Sequence, residues 1–330
     1  MKRNVRLLAG LMMILLALIS TACAAAKTET NTTGATTEPT SQPSAEAPSA
    51  ERVINSLKGD ITIPTDPKRV IGLSVVYPEF LYALGVTPVA VQNYHEEYPS
   101  YLEEGFKDTV KMGIAQTPNF EAILAAAPDL IIAPIWWSDK DYDQLSKIAP
   151  TILLPERDNW KDELRDIAGV FGKEPLAESV IADLQAKETA AKQKLDTLVG
   201  DETVMYMMVM EKEIIIYGET IDRGSFIHER LGLNPIKEFP QAERSISISL
   251  EKIPEYNPDH IILQLNNEFN EAIQNRYKEL LDSSLWKNMT AVKNNHVYTM
   301  AGKEWFNLGM SPLADSYAID EVLNVFENKQ

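Results

Sequence analysis

The sequence predicts an α/β protein of two Rossmann-like lobes with mainly parallel sheets, joined by one long helix. Three observations carry that prediction. The first is a long-range repeat: Asn119-Phe120-Glu121 is followed by Pro128-Asp129 and Ile131-Ile132, and Ser249-Leu250-Glu251 is followed at the same spacing by Pro258-Asp259 and Ile261-Ile262. Each copy reads as a capping residue, an acid at the start of a short helix, and a buried strand, so two related lobes are expected. The second is the regular alternation of short apolar runs with helical stretches, the pattern of parallel strands covered on both faces. The third is a run of strong helix formers from Glu174 to Leu198, in the middle of the chain, with Pro175 where a first turn tolerates it.

The elements follow in chain order. Lys2, Arg3 and Arg6 precede an apolar run from Leu7 to Ile19 that is too short to cross a bilayer, which marks residues 1–22 as a secretion signal. The run ends in Ile19-Ser20-Thr21-Ala22-Cys23, which resembles a bacterial lipobox with Ser20 at the usual leucine position. Cys23 is then the lipidation site, and the chain is anchored to the extracytoplasmic face of the cell membrane. The alternative is an ordinary signal peptide with an incidental cysteine. Cys23 is the single cysteine, so no disulfide is available. Residues 23–51 hold no aromatic or large aliphatic side chain and are expected to form a disordered tether.

The N-terminal lobe is expected over residues 52–173. It opens with a hairpin, Val53 to Leu57 and Ile61 to Pro64, turned at Lys58-Gly59-Asp60. Strands are then expected at Val70 to Leu73, Val89 to Val91, Leu130 to Ala133 and Thr151 to Leu154, with helices at Pro78 to Leu84, Phe120 to Ala127 and Tyr142 to Ile148. The helix over 174–198 connects to a C-terminal lobe, residues 199–330. That lobe opens with apolar runs at Val204 to Met210 and Ile214 to Tyr217 and ends with the strand pattern His296 to Met300 and a helix from Pro312.

A net charge of −17 makes nucleic acid a poor partner. Catalytic chemistry finds no support: no metalloprotease, nucleophile-elbow, phosphate-loop or dinucleotide pattern occurs, which points away from an enzyme. The four histidines, His95, His228, His260 and His296, lack metal-ligand spacing, so no protein metal site is expected. His228, His260 and His296 fall in helix or strand patterns and read as structural. His95 reads as a solvated loop residue, and it is the only one of the four that could act as a ligand. The methionines fall mostly in the signal and in buried strands, where gap filling explains them.

The segments Pro118 to Glu121, Ala127 to Ile132, Lys147 to Thr151, Ile248 to Glu251 and Trp286 to Asn294 resemble, in order and spacing, the iron-siderophore substrate-binding proteins of bacterial ABC importers. Ferric hydroxamate binders are the nearest type. The resemblance implies two lobes on one rigid helix and a monomeric, non-enzymatic receptor that delivers a ferric siderophore. The siderophore supplies the iron ligands, so no cofactor is required. In that family the two acids form salt bridges with arginines of two permease subunits, a role that falls here on Glu121 and Glu251. The simpler alternative is an acid favouring a helix dipole. A cobalamin or haem receptor on the same scaffold, or a ligand-binding sensor module, are the competing readings.

Ligands of bilobal α/β binders sit between the lobes, against loops at the carboxyl ends of strands. Those loops supply Tyr77, Tyr94, Trp136, Trp137 and Tyr217. Trp136 and Trp137 should leave the sheet on an extended loop, one of them facing outward. By resemblance, Arg223 reaches the oxygens around iron and Trp305 lines the pocket. A pair with Asp222 or Glu219 is the alternative for Arg223. Catecholate-binding relatives place arginines where Met208 and Met210 stand here, so a ferric hydroxamate or mixed carboxylate complex is expected. For haem, only His95 or a cleft tyrosine could be the axial ligand.

Overall fold

A computed structural model describes residues 50–114, 117–237, 239 and 243–328. The signal segment, Cys23 and most of the tether lie outside the described residues. The hairpin comprises β1 (Glu51–Ser56) and β2 (Gly59–Pro64). Ser56 pairs with Gly59, which leaves Leu57 and Lys58 as the turn. The turn comes earlier than the sequence suggests because Gly59 adopts φ +93°, a left-handed conformation that glycine takes without a Cβ clash.

The first sheet contains β3 (Val70–Gly72), β4 (Ala90–Val91), β5 (Val110–Lys111), β6 (Leu130–Pro134) and β7 (Thr151–Leu154) in the order β5-β4-β3-β6-β7, with every pairing parallel. The second contains β8 (Val204–Val209), β9 (Ile214–Tyr217), β10 (Ser245–Ile248), β11 (His260–Leu265) and β12 (Val297–Met300) in the order β10-β9-β8-β11-β12. Its β8, β11 and β12 run parallel, while β9 pairs antiparallel with both β8 and β10. The link from β8 to β9 is a tight turn closed by Met210 N–H to Glu213 O at 2.9 Å, too short for the crossover that a parallel pair demands. The strands β3, β6 and β8 are fully buried, which explains their unbroken apolar runs.

The repeat is visible in the sheets. Leu130 pairs with Val70 and His260 with Val204, so β6 and β11 take the same place beside the first strand of their sheets. Between the sheets in sequence runs the helix Glu174–Val199, 26 residues or about 39 Å at ~1.5 Å per residue. Its buried positions Ala177, Ile181, Leu184, Glu188, Ala191, Leu195 and Val199 recur every three or four residues and form one stripe. That stripe belongs to a hydrophobic core containing Phe80 and Trp160 before the helix and Tyr206, Val322 and Phe326 after it. Glu188 is held in the stripe by Arg230, which also pairs with Asp315 at 2.7 Å. The C-terminal helix Pro312–Glu327 lies along the long helix, with Lys187 Nζ 2.7 Å from Asp320, and also contacts the helix Tyr77–Ala83. One core therefore spans both lobes and stiffens their connection.

Candidate functional site

Glu121 and Glu251 are both exposed and stand on related scaffolds. Asn119 caps the helix Phe120–Ala125, its side chain accepting from Ala122 N–H at 3.0 Å, and Glu121 occupies the first turn. Around Glu251 the structure departs from the expected helix: a turn leads into a 3₁₀ helix, Ile253–Glu255. Pro254 is the cause, since it lacks the N–H that an α-helix needs there. The Ser249 hydroxyl, donating to the Glu251 carboxylate, holds it below the usual carboxylate range. Among the described residues neither acid makes an ion pair.

The interlobe seam is built from the segment 303–311, which follows β12, and the loops that follow β3 and β4. Tyr94 stacks on Phe306 with centroids 4.9 Å apart and accepts a hydrogen bond from Asn266 Nδ2 at 3.0 Å. Asn307 donates to Val75 O at 2.9 Å and to Glu79 at 2.6 Å, and Ser311 donates to the other Glu79 oxygen. Burial raises the Glu79 carboxyl to about 7 despite the Ser311, Asn307 and Tyr101 donors. Glu304 accepts from Ser100 N–H at 3.0 Å, and Lys303 reaches Glu97 and Glu103, each at 3.2 Å. His95 is not the solvated loop residue expected from the sequence. It is 7% exposed, because the Phe306 ring packs edge-on against it at 5.2 Å.

Beside the seam lies a cavity of ≈ 220 Å³ bounded by Tyr77, Trp136, Arg157, Trp160, Glu163 and Met310 among others. Trp136 and Trp137 stand on a one-turn helix, Ile135–Ser138, rather than an extended loop. Successive side chains on a helix diverge by about 100°, so Trp136 is 57% exposed while Trp137 is half-buried with its indole N–H enclosed. Tyr77 is buried, and that burial pushes its phenol up, so it is protonated at neutral pH. Arg157 forms a fork with Asp166, Nε at 2.7 Å and Nη2 at 2.9 Å. Burial, with Asp166 and Glu156 nearby, raises Glu163 to about 7. Arg157, Glu163 and Met310 were missed by sequence reasoning; the cap Asn159 before Trp160 is a signal that could have placed Arg157 and Glu163, and none placed Met310.

In the C-terminal lobe Arg223 is half-buried and donates to Trp305 O at 2.7 Å, to Phe306 O, and to Gln264 Oε1 at 3.3 Å. It ties the seam's backbone to β11. Tyr217 is half-buried and stacks on Tyr206 at 4.8 Å. Trp305 departs from its expected place on the pocket wall: it is fully buried, with its indole N–H donating to Glu321 and its ring against Tyr206 at 5.9 Å. The next residue, Phe306, reaches the seam instead. The structure thus gathers Tyr94 and Arg223 around Phe306, sets Tyr77 and Trp136 on the neighbouring wall, and withdraws Trp305. Among the described residues no group of three or more His, Cys, Asp or Glu could hold a metal ion, and no helix is long and apolar enough to cross a membrane.

A family model described as "Periplasmic binding protein" matches residues 70–303. The iron-uptake system-binding protein of Bacillus subtilis (strain 168) is 29% identical over 291 residues, covering 87% of this chain and 88% of its own. The iron(3+)-hydroxamate-binding protein FhuD of the same organism is 34% identical over 253 residues, covering 73% and 76%. Among solved structures, Staphylococcus aureus SirA complexed with staphyloferrin B matches with a TM-score of 0.68 at 27% identity, covering 84% of this chain and 100% of its own. Two lobes of matched strand order, the rigid helix between them and a family match across most of both lobes agree: the chain belongs to the periplasmic binding protein family.

Proposed function

We propose that this protein is a non-enzymatic receptor that binds a ferric siderophore between its lobes and delivers it to an ABC importer. The observation that carries the reading is the aromatic cleft, where Tyr77 and Trp136 from the first lobe stand beside the Tyr94–Phe306 stack, on a scaffold shared with relatives named for iron and hydroxamate binding. Aromatic walls bury the organic shell of a chelate, and a few polar groups orient it.

Cation supply favours a neutral or weakly charged complex. Arg157 is committed to Asp166 and Arg223 to backbone carbonyls, while Met208 is buried in β8. A tricatecholate complex of about three negative charges calls for more free cations than these. A ferric hydroxamate or mixed carboxylate complex fits better. For haem, His95 is covered by Tyr94 and Phe306, which leaves only a cleft tyrosine as the axial ligand.

Delivery requires a dock. Glu121 and Glu251 are exposed carboxylates on related scaffolds, and two permease subunits related by a two-fold axis would each meet one of them. Lipidation at Cys23 would hold a monomeric receptor at the extracytoplasmic face of the membrane, with the tether giving it reach. Fluorescence titration of the purified protein with a panel of ferric and iron-free siderophores tests the reading. Saturable quenching by a ferric hydroxamate, with no turnover, is expected; the absence of quenching by every ferric complex would refute it.

A further inference from the structure

Buried polar atoms without a partner cluster along the cleft. Tyr77, whose hydroxyl is one of these, lines the ≈ 220 Å³ cavity, and Trp137, whose Nε1 is another, lines a second cavity that shares Ser74, Pro134 and Trp136 with it. His95, with both ring nitrogens unpartnered, and Asn307, with its Oδ1 unpartnered, line a third, which shares Val75 and Gln92 with the second. Native proteins pair nearly all buried polar groups, so orphans gathered around adjacent cavities point to a ligand that completes them.

The third cavity is the polar end of this row. His95 is 7% exposed, with Tyr94 and Phe306 edge-on at 5.0 and 5.2 Å. Burial and the nearby Lys303 lower its pKa while Glu268 opposes them, so at neutral pH it carries one N–H and one acceptor nitrogen. Asn307 directs its amide N–H groups at Val75 O and Glu79, which fixes the amide's orientation and leaves its oxygen unpaired. Two residues that line the space therefore each carry an unpaired acceptor, with Glu79 and Glu97 also in its wall. Lys303 is there too, but its ammonium lies between Glu97 and Glu103. A carboxylate would find no free cation. The volume of ≈ 50 Å³ admits an amino group and the carbon that bears it, and excludes an iron centre.

We infer that the inner end of the cleft is a subsite for an N–H-bearing arm of the cargo, best an ammonium, and that His95 is the specificity-determining side chain there. The inference rests on the receptor reading above and names which chelates it prefers. Three ferric trihydroxamates of identical core, ending in an ammonium, an acetamide or a carboxylate, are the probes, titrated against wild type, His95→Leu and His95→Gln.

Wild type should bind the ammonium form at least tenfold tighter than the carboxylate form, with the acetamide between. His95→Leu should compress that ratio to below threefold, and His95→Gln, which restores a donor and an acceptor, should recover most of it. Far-ultraviolet circular dichroism and melting temperature establish that each variant is folded; should His95→Leu not fold, retained discrimination in His95→Gln and its loss in Asn307→Leu carry the same test. Equal affinity of wild type for the three forms, or an unchanged ratio in the folded Leu variants, would overturn the subsite while leaving the receptor reading in place. Failure of wild type to bind any of the three would overturn the subsite and a hydroxamate cargo, while the receptor reading itself falls only if the wider panel of ferric complexes, carboxylates included, also fails to bind.

Discussion

Asp129 and Asp259 do the same work in the two lobes. Asp129 accepts from the N–H groups of Lys68 and Arg69 at 2.8 and 2.9 Å, at the entry to β3, and Asp259 accepts from Thr203 N–H at 2.8 Å, at the entry to β8. Each fastens the strand it precedes to that strand's neighbour. The Pro-Asp pair of the sequence repeat is thus a structural clamp used twice.

The Asp259 clamp makes a pH prediction. The Thr203 N–H donor comes first among the groups that hold its carboxyl below the ordinary value of 3.8, so its contribution is present above that value and is lost as pH falls through the lower folded pKa. Asp259→Ala should lower stability at pH 7 by about 1 kcal/mol, kept modest by solvent screening. The gap between variant and wild type in thermal melts should narrow at the acid end. A gap independent of pH would show that the charge plays no part.

Glu79 should act in the opposite sense. Burial raises its carboxyl from 4.5 to about 7, so its contribution is full below 4.5 and declines as pH rises to 7, by up to about 1.4 kcal/mol per pH unit. Asp315 and Glu163, raised to about 6 and 7, decline over an overlapping window. Glu79→Gln, which keeps the shape of the protonated acid, should flatten part of the fall in melting temperature between pH 4.5 and 7. An unaltered slope would assign it to the other two acids.

Arg223→Ala should weaken ferric hydroxamate binding tenfold or more. It removes the donors that hold the Trp305 and Phe306 carbonyls, and with them the position of the Phe306 ring at the seam. Arg223→Lys should recover little, because one ammonium cannot replace a planar fork on two carbonyls. A dissociation constant within twofold of wild type for Arg223→Ala would remove it from the site.

Glu121→Ala with Glu251→Ala should abolish iron uptake in cells and leave chelate affinity and melting temperature nearly unchanged, since both side chains are exposed and make no ion pair among the described residues. Each single change should be partial, because one lobe would still engage. Normal uptake by the double variant would rule out the docking role.

Much of the scaffold was legible because its signals are local. The apolar runs at Leu130 and Thr151 became buried strands, and the helix formers after Glu174 became a helix ending at Val199. In the scaffold, two helices and the direction of one strand went unread although their signals were local, while what was not legible at the site depended on neighbours remote in sequence. The helices Trp160–Phe171 and Glu271–Asp282 went unplaced, although Asn159 and Asn270 cap them and gave a signal. The antiparallel β9 follows from a short link rather than from hydrophobic pattern. At the site, the choice between Trp305 and Phe306 could not be read from composition: an indole N–H partner in the C-terminal helix, Glu321, draws the tryptophan inward and leaves the phenylalanine at the seam. His95 is buried by that same phenylalanine from the other lobe.

Equilibrium dialysis of the purified protein against an iron-loaded hydroxamate and its iron-free form, with iron counted on the protein side, addresses the cleft's cargo without relying on any side chain's emission. One iron per chain retained from the ferric form, displaced by excess ferric chelate and not by the bare chelator, is expected. Retention of no iron from hydroxamate or carboxylate complexes alike would mean that this cleft was shaped for something else.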